Sequence, residues 1–265
     1  MPTQTLKQKL ATHQLTIGSW VTLAHPAVAE IMARAGFDWL AVDLEHSVIT
    51  IRETEELIRV ISLRGLPALV RLTSNDKDQI KRVMDAGAYG VIVPMVNSHA
   101  DAERAVAAVH YPPRGSRGVG LARAQGYGTS FNDYRAWLEK EAVVIVQIEH
   151  IEAVDNLEAI LDTPGVDGFI IGMYDLSASM GIPGEFDDPR MIQAIERIRA
   201  VGQAKAKPGG LHVVEPVPEQ VKAHVNRGFR FLAYSLDTRM LDVACRKGLE
   251  ECKQAAIKPA GDRLK

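Results

Sequence analysis

With 265 residues, 46% of them apolar and 24% charged, the chain can bury a large core without disulfide support. Its formal net charge is −2 and no run of Lys and Arg exceeds two residues, which argues against nucleic acid or an anionic membrane as the main partner. No apolar run approaches a membrane span and cysteine is scarce, so a soluble protein of a reducing cytoplasm is expected.

The first predicted strand, Thr16–Val21, is followed by a helix over Pro26–Ala35 that Gly36 ends. Strand Trp39–Asp43 leads into a helix over Ile51–Arg64, Ala68–Arg71 into Asp76–Ala86, and Gly90–Val93 into His99–Val109. A long connection rich in Gly, Pro and Ser, His110–Ser130, comes next. Strand Val143–Glu149 precedes a helix over Glu152–Leu161. Strand Gly168–Ile171 precedes a second long connection, Met173–Asp188, and a helix over Pro189–Ala206. Gly210–Val214 with Pro218–Arg227, and Arg230–Tyr234 with Leu236–Lys253, complete the series. Cys245 and Cys252 fall on one face of the last helix about two turns apart, too far to pair, and are read as free thiols.

Eight strands that read as nearly continuous apolar runs, each followed by a helix, predict an α/β fold. The architecture expected is a (β/α)₈ TIM barrel occupying residues 1–265 as a single domain. The competing open, doubly wound sheet lacks the GxGxxG turn expected after its first strand. In a barrel of this kind the active site forms at the C-terminal ends of the strands. The polar residues there are Asp43, Glu45 and His46 after the second strand, Arg71 at the end of the third, and Gln147 and Glu149 on the fifth. Asp175 follows the sixth, while His212, Glu215 and Ser235 belong to the seventh and eighth. Trp20, Leu211 and His212 are placed on the side where a second substrate would enter.

Each of these residues has a structural and a chemical reading. Glu149 and Asp175 lie on neighbouring strands and offer oxygens suited to Mg²⁺ or Mn²⁺, or else one pairs with an Arg and the other caps a short helix. Arg71, delivered from a buried strand, suits a carboxylate or enolate oxygen, or else pairs internally with Asp43 or Glu45. His46 stands three residues after Asp43, whose carboxylate could orient the imidazole for acid–base work, or else it is structural. Every lysine falls in a predicted helix, loop or tail, which disfavours a Schiff base and favours a metal as electron sink. The loops after strands seven and eight lack the glycines of a phosphate nest, which disfavours phosphorylated substrates.

Six segments together resemble the HpcH/HpaI aldolase family of metal-dependent class II pyruvate aldolases. They are AGFDWLAVDLEHS (35–47), the strand ending in Arg71, DAGAYGVIVPMV (85–96), YPPRGSRGVG (111–120), VQIEHIEAVDNLEAIL (146–161) and GVDGFIIGMYDLSASMGIPG (165–184). The resemblance spans roughly residues 16–250. It implies an aldehyde-lyase that reversibly cleaves a 4-hydroxy-2-oxo acid into pyruvate, or hydroxypyruvate, and an aldehyde. The implied cofactor is Mg²⁺, Mn²⁺ or Co²⁺ held by Glu149 and Asp175.

By the same resemblance Arg71 and Gln147 hold the oxo acid, and His46 with Asp43 forms the acid–base pair. The amides near Tyr174 and Asp175 receive the substrate carboxylate. The assembly implied is a homohexamer, a trimer of dimers with an exchanged C-terminal helix, in which Asp85 and Arg123 approach a neighbour's site. Two departures bear on the second substrate. Gly172-Met-Tyr-Asp-Leu-Ser carries a bulkier Tyr174 where many members have alanine, and His212 stands where apolar residues are usual. Two other functions compete. One is a citrate lyase beta-like lyase acting on a CoA thioester, with Arg114, Arg117 and Arg123 as a phosphate-binding surface. The other is a non-catalytic 2-oxo-acid binding protein.

Overall fold

Side chains along the strands alternate between two apolar environments, as in parallel sheets covered on both faces, and pairing of the first strand with the last closes the sheet. In the computed structural model, which describes residues 4–257, eight parallel strands form a closed barrel in sequence order. They are β1 (Thr16–Val21), β2 (Trp39–Asp43), β3 (Ala68–Arg71), β4 (Gly90–Val93), β5 (Val143–Ile148), β6 (Gly168–Ile171), β7 (Gly209–Val213) and β8 (Phe231–Leu236). The helices are α1 (Leu6–Ala11), α2 (Pro26–Arg34), α3 (Ile51–Leu63), α4 (Lys77–Asp85), α5 (His99–Val109), α6 (Phe131–Glu141), α7 (Ile151–Asp155), α8 (Leu157–Leu161), α9 (Met173–Ser179), α10 (Pro189–Ala204), α11 (Pro218–Asn226) and α12 (Asp237–Ile257). None of them is long and apolar enough to cross a membrane.

One alternate set of strand residues, including Leu40, Val42, Val70, Val91, Val144 and Val146, packs outward under the helices. The other set, including Trp20, Trp39, Leu69, Ile92, Ile145 and Phe231, fills the barrel. Inside, Trp39 stacks on Phe231 at 4.4 Å and meets Trp20 edge-on at 6.3 Å. These rings leave no room beside β1 for another side chain. A Cβ added at Gly18 would lie 2.0 Å from the Trp39 ring, so glycine there is a packing requirement.

The structure adds helices to the predicted series. Leu6 and Leu10 of α1 are buried against the barrel interior, and Lys7–Asp167 and Lys9–Asp38 ion pairs hold the helix in place. Beyond the first long connection, α6 buries Tyr134 and Leu138. The helix predicted over Glu152–Leu161 is two helices joined at Asn156, whose side-chain amide donates to the Asn97 carbonyl at 2.9 Å. Helix α9 begins inside the second long connection, directly after β6.

The first long connection is anchored from within. The Arg117 guanidinium is fully buried and stacks on Tyr111 and Tyr134 at 4.4 and 5.3 Å. It donates to the Val109 carbonyl and faces the Asp85 carboxylate at 3.2 Å. His110 beside it is buried, and neither ring nitrogen has a hydrogen-bond partner among the described residues. Burial, with the Arg114 charge adding, pulls its pKa from 6.5 down to about 4. The unfolded chain therefore takes up a proton near pH 6.5 that the folded chain refuses until about pH 4. Stability present above pH 6.5 is lost as pH falls through that window. Urea unfolding at pH 7 and pH 5 should show a loss of up to about 2 kcal/mol that His110→Phe removes. Equal slopes in both proteins would assign the acid sensitivity elsewhere.

Candidate active site

The strand register sets the site. Asp43 of β2 pairs with Arg71 of β3, so two inward-facing charged side chains emerge next to each other at the C-terminal rim. Asp43 is buried and accepts from both sides of the guanidinium fork, from Nε at 2.8 Å and from a terminal nitrogen at 2.6 Å. Its Oδ1 also takes the backbone N–H groups of Glu45 and His46, at 3.0 and 3.3 Å. The Arg71 guanidinium lies 4.2 Å from the centre of the Trp20 ring and reaches Glu45 at 3.4 Å. It is thus fixed on three sides, and of the two structural alternatives both apply.

This corrects one expectation. The Asp43 carboxylate does not orient the His46 imidazole, because Arg71 and two backbone amides occupy it. The acid near His46 is Glu45, whose Oε2 lies 3.7 Å from Nε2 of a ring that is 59% exposed. Sequence reasoning names Glu45 at this rim, and as a partner for Arg71, but gives it no part beside His46. It touches Arg71, His46 and, at 3.3 Å, the Gln147 amide. Strand β2 ends at Asp43 and the chain bends over residues 44–47, and this turn brings Glu45 back over Arg71.

On the opposite wall, Gln147 and Glu149 project from the end of β5. Glu149 is 2% exposed. Its Oε1 accepts from the Met95 amide at 2.7 Å, and its Oε2 accepts from the Gln147 side-chain amide. Met95 has a φ of +50°, a left-handed conformation unusual for its type, and this turn delivers its N–H to the carboxylate. Burial raises the Glu149 pKa to about 7 against those two hydrogen bonds, with Glu45 and Asp175 adding to the rise. Glu45 is raised as well, first by burial, although Arg71 opposes it. Asp175 stands in the first turn of α9, exposed on the rim.

A cavity of about 790 Å³ opens at this rim. Trp20, Asp43, His46, Arg71, Gln147, Tyr174, Asp175 and Leu211 all line it, so the structure brings these expected site residues together. Glu149 lies sealed behind Gln147 rather than on the cavity surface. Among the described residues lining the cavity there is no lysine, so a Schiff base has no nucleophile here. The three arginines expected to bind CoA phosphates lie elsewhere. Arg117 is buried under its tyrosines, Arg114 pairs with Glu139, and Arg123 donates to the Ala86 carbonyl.

The donor set can be tested against a divalent cation. Among the described residues no three His, Cys, Asp or Glu side chains form a ready-made cage. What is present is a pair of carboxylates, Glu149 and Asp175, close enough that Asp175 adds to the cost of ionising Glu149. Mg²⁺-like ions are commonly held by one or two carboxylates, with water and substrate oxygens completing the shell. A Cβ at Gly172 would lie 2.7 Å from Glu149 Oε2, so glycine leaves the flank of that oxygen open. The residues fit such an ion, provided Oε2 gives up the Gln147 amide.

The sequence model of the HpcH/HpaI aldolase/citrate lyase family matches residues 16–243. The chain belongs to this family. It is 39% identical over 245 residues to a 4-hydroxy-2-oxovalerate aldolase of Rhodococcus jostii, covering 91% of this chain and 92% of that one. It is 37% identical over 244 residues to a 5-keto-4-deoxy-D-glucarate aldolase of Klebsiella pneumoniae, covering 91% and 93%. The crystal structure of an HpcH/HpaI aldolase/citrate lyase family protein from Burkholderia cenocepacia superposes with a TM-score of 0.88 at 32% identity, covering 94% and 98%. Within the HpcH/HpaI family this chain is therefore an enzyme, a carbon–carbon lyase of the aldolase type.

Proposed function

We propose that the enzyme reversibly cleaves a 4-hydroxy-2-oxo acid into pyruvate, or hydroxypyruvate, and an aldehyde. The observation that carries this reading is the Arg71 guanidinium, pinned by Asp43 and Trp20 beside Gln147 and a buried carboxylate. Such a group is a preorganised donor for the oxygen of a 2-oxo acid as it gains negative charge, an effect worth about 3–4 kcal/mol in comparable sites. Asp43 positions it, and Gln147 offers its amide to the same substrate. The backbone amides near Tyr174 and Asp175, at an α9 start that no side chain caps, receive the substrate carboxylate. Glu149 and Asp175 would hold Mg²⁺, Mn²⁺ or Co²⁺, which when bound supplies Lewis-acid polarisation of the 2-oxo group.

His46 removes the 4-hydroxyl proton in cleavage and returns it in synthesis, with Glu45 Oε2 3.7 Å from its Nε2. Trp20 and Leu211 border the space left for the aldehyde. The long α12, which buries no described residue after Asp237 and exposes Leu241 and Leu249, supports an exchanged helix in a trimer of dimers. Asp85, already facing Arg117, and Arg123 would lie toward a neighbouring subunit in that assembly.

Two measurements test the reading. Pyruvate methyl protons should exchange with deuterium in a reaction that EDTA stops; no exchange at all would overturn the metal-assisted pyruvate enolate. His46→Ala should slow aldol cleavage by about 100-fold or more while affecting proton exchange less, the scale of general acid–base catalysis. Equal loss of both activities would make His46 a structural support.

A further inference from the structure

The most distinctive group in the cavity is His212, which the chemistry above leaves unused. Leu211 and Val213 pack into the outer layer under the helices, so the alternation of β7 turns His212 toward the barrel axis. There its ring meets the Trp20 indole edge-on at 5.8 Å. Arg71 touches the same indole, so Trp20 joins the oxo-acid end of the cavity to the His212 end.

The hydrogen bonding of the ring defines its tautomer. Nε2 lies 3.1 Å from the Ser235 backbone carbonyl, which also accepts from the Ser19 hydroxyl at 3.1 Å. A carbonyl oxygen only accepts, so Nε2 carries the proton. Burial pulls the pKa of His212 down to about 4, and the ring is uncharged at neutral pH. Nδ1 is then a bare lone pair. It has no partner among the described residues, and it is not among the polar atoms sealed from solvent. The cavity lining also includes Trp20, Thr22, Val214, Glu215, Gln220 and Leu236, and among them Nδ1 is an uncharged ring acceptor open to the cavity.

We propose that His212 Nδ1 accepts a hydrogen bond from a hydroxyl on the aldehyde, making this enzyme selective for hydroxyaldehydes over their deoxy counterparts. The proposal rests on the aldolase reading and specifies its second substrate. An uncharged acceptor gives no attraction to a carboxylate or phosphate on the aldehyde, and an aldehyde without a hydroxyl leaves the lone pair unmet. A site built to hydrogen-bond a substrate hydroxyl discriminates strongly against the analogue that lacks it.

The test compares 2-hydroxypropanal with propanal as acceptors of pyruvate, with Mg²⁺ supplied, as the ratio of kcat/KM values within each protein. A ratio is insensitive to the fraction of enzyme that folds. His212→Phe keeps a ring against Trp20 and removes both nitrogens; it should lower the hydroxyaldehyde preference about tenfold or more, by loss of activity with 2-hydroxypropanal. His212→Leu should do the same if the phenylalanine variant is insoluble. His212→Asn, which can present an amide oxygen near the place of Nδ1, should keep most of the preference. An unchanged ratio in His212→Phe or His212→Leu overturns the proposal while leaving the aldolase reading intact. A third arm replaces pyruvate by hydroxypyruvate with propanal as acceptor. A loss confined to that arm would place the recognised hydroxyl on the oxo acid and overturn the assignment. If the unmodified enzyme joins pyruvate to neither aldehyde, the aldolase reading fails and this inference falls with it.

Discussion

Glu149→Gln should lower the rate of aldol cleavage by about 1000-fold or more, the scale expected when several kcal/mol of charge stabilisation is lost. It should also abolish stoichiometric Mn²⁺ binding, read from the resonance of free Mn²⁺ in titrations. The substitution is nearly isosteric, and the glutamine oxygen can still accept from the Met95 amide that now reaches Oε1 at 2.7 Å. The charge is what goes. Thermal stability separates the two meanings of that loss. Glu149 is buried beside Glu45 and Asp175 with its pKa raised to about 7, so its ionised form burdens the fold. Neutralising it should leave the melting temperature of the EDTA-treated protein unchanged or higher. Activity lost while stability is kept marks a group retained for chemistry. Full activity with metal still bound at one equivalent would refute the ligand assignment, and a large drop in melting temperature would make Glu149 structural.

The parts of this architecture that depend on local pattern were legible in the chain. Runs such as Val143–Ile148 and Gly90–Val93 are nearly continuous in apolarity and buried on both faces, so they read as parallel-sheet strands before any tertiary contact is known. The polar residues at strand ends named Asp43 and Arg71, and alternation along the fifth strand put Gln147 and Glu149 on one side. What was not legible depends on closure and on backbone geometry. Whether Asp43 serves Arg71 or His46 is decided by the register of β2 against β3, a non-local fact. The Met95 amide that braces Glu149 needs a left-handed turn at a residue type that gives no hint of one. Helix α1 has six residues, too few for a periodic signal, and its place is set by the open end of the barrel that Leu6 and Leu10 fill.

Asp43→Ala should be among the most destabilising single substitutions at the rim, at about 3 kcal/mol in urea unfolding. Removing one member of a buried ion pair typically costs about 3–5 kcal/mol, because the other charge is left without compensation. The lower end applies because Arg71 retains Glu45 at 3.4 Å and the Trp20 ring. Two further acceptor contacts go as well, those to the Glu45 and His46 amides, and with them the turn that aims His46 into the cavity. Removing Arg71 in the same chain should recover part of the cost, since the stranded charge is then gone. The double variant should be more stable than the sum of the two single losses predicts. Additive losses would mean that packing, not charge, holds this corner together. Activity reports the same pair independently. Without its two-pronged partner the guanidinium can follow Glu45, and a displacement of about 1 Å at a positioning group can cost about 100-fold in rate. Asp43→Asn keeps the shape and one acceptor; it should therefore retain more stability than alanine, yet still lose kcat/KM. That dissociation would show that the carboxylate is needed to hold Arg71 in place for the reaction as well as to neutralise it.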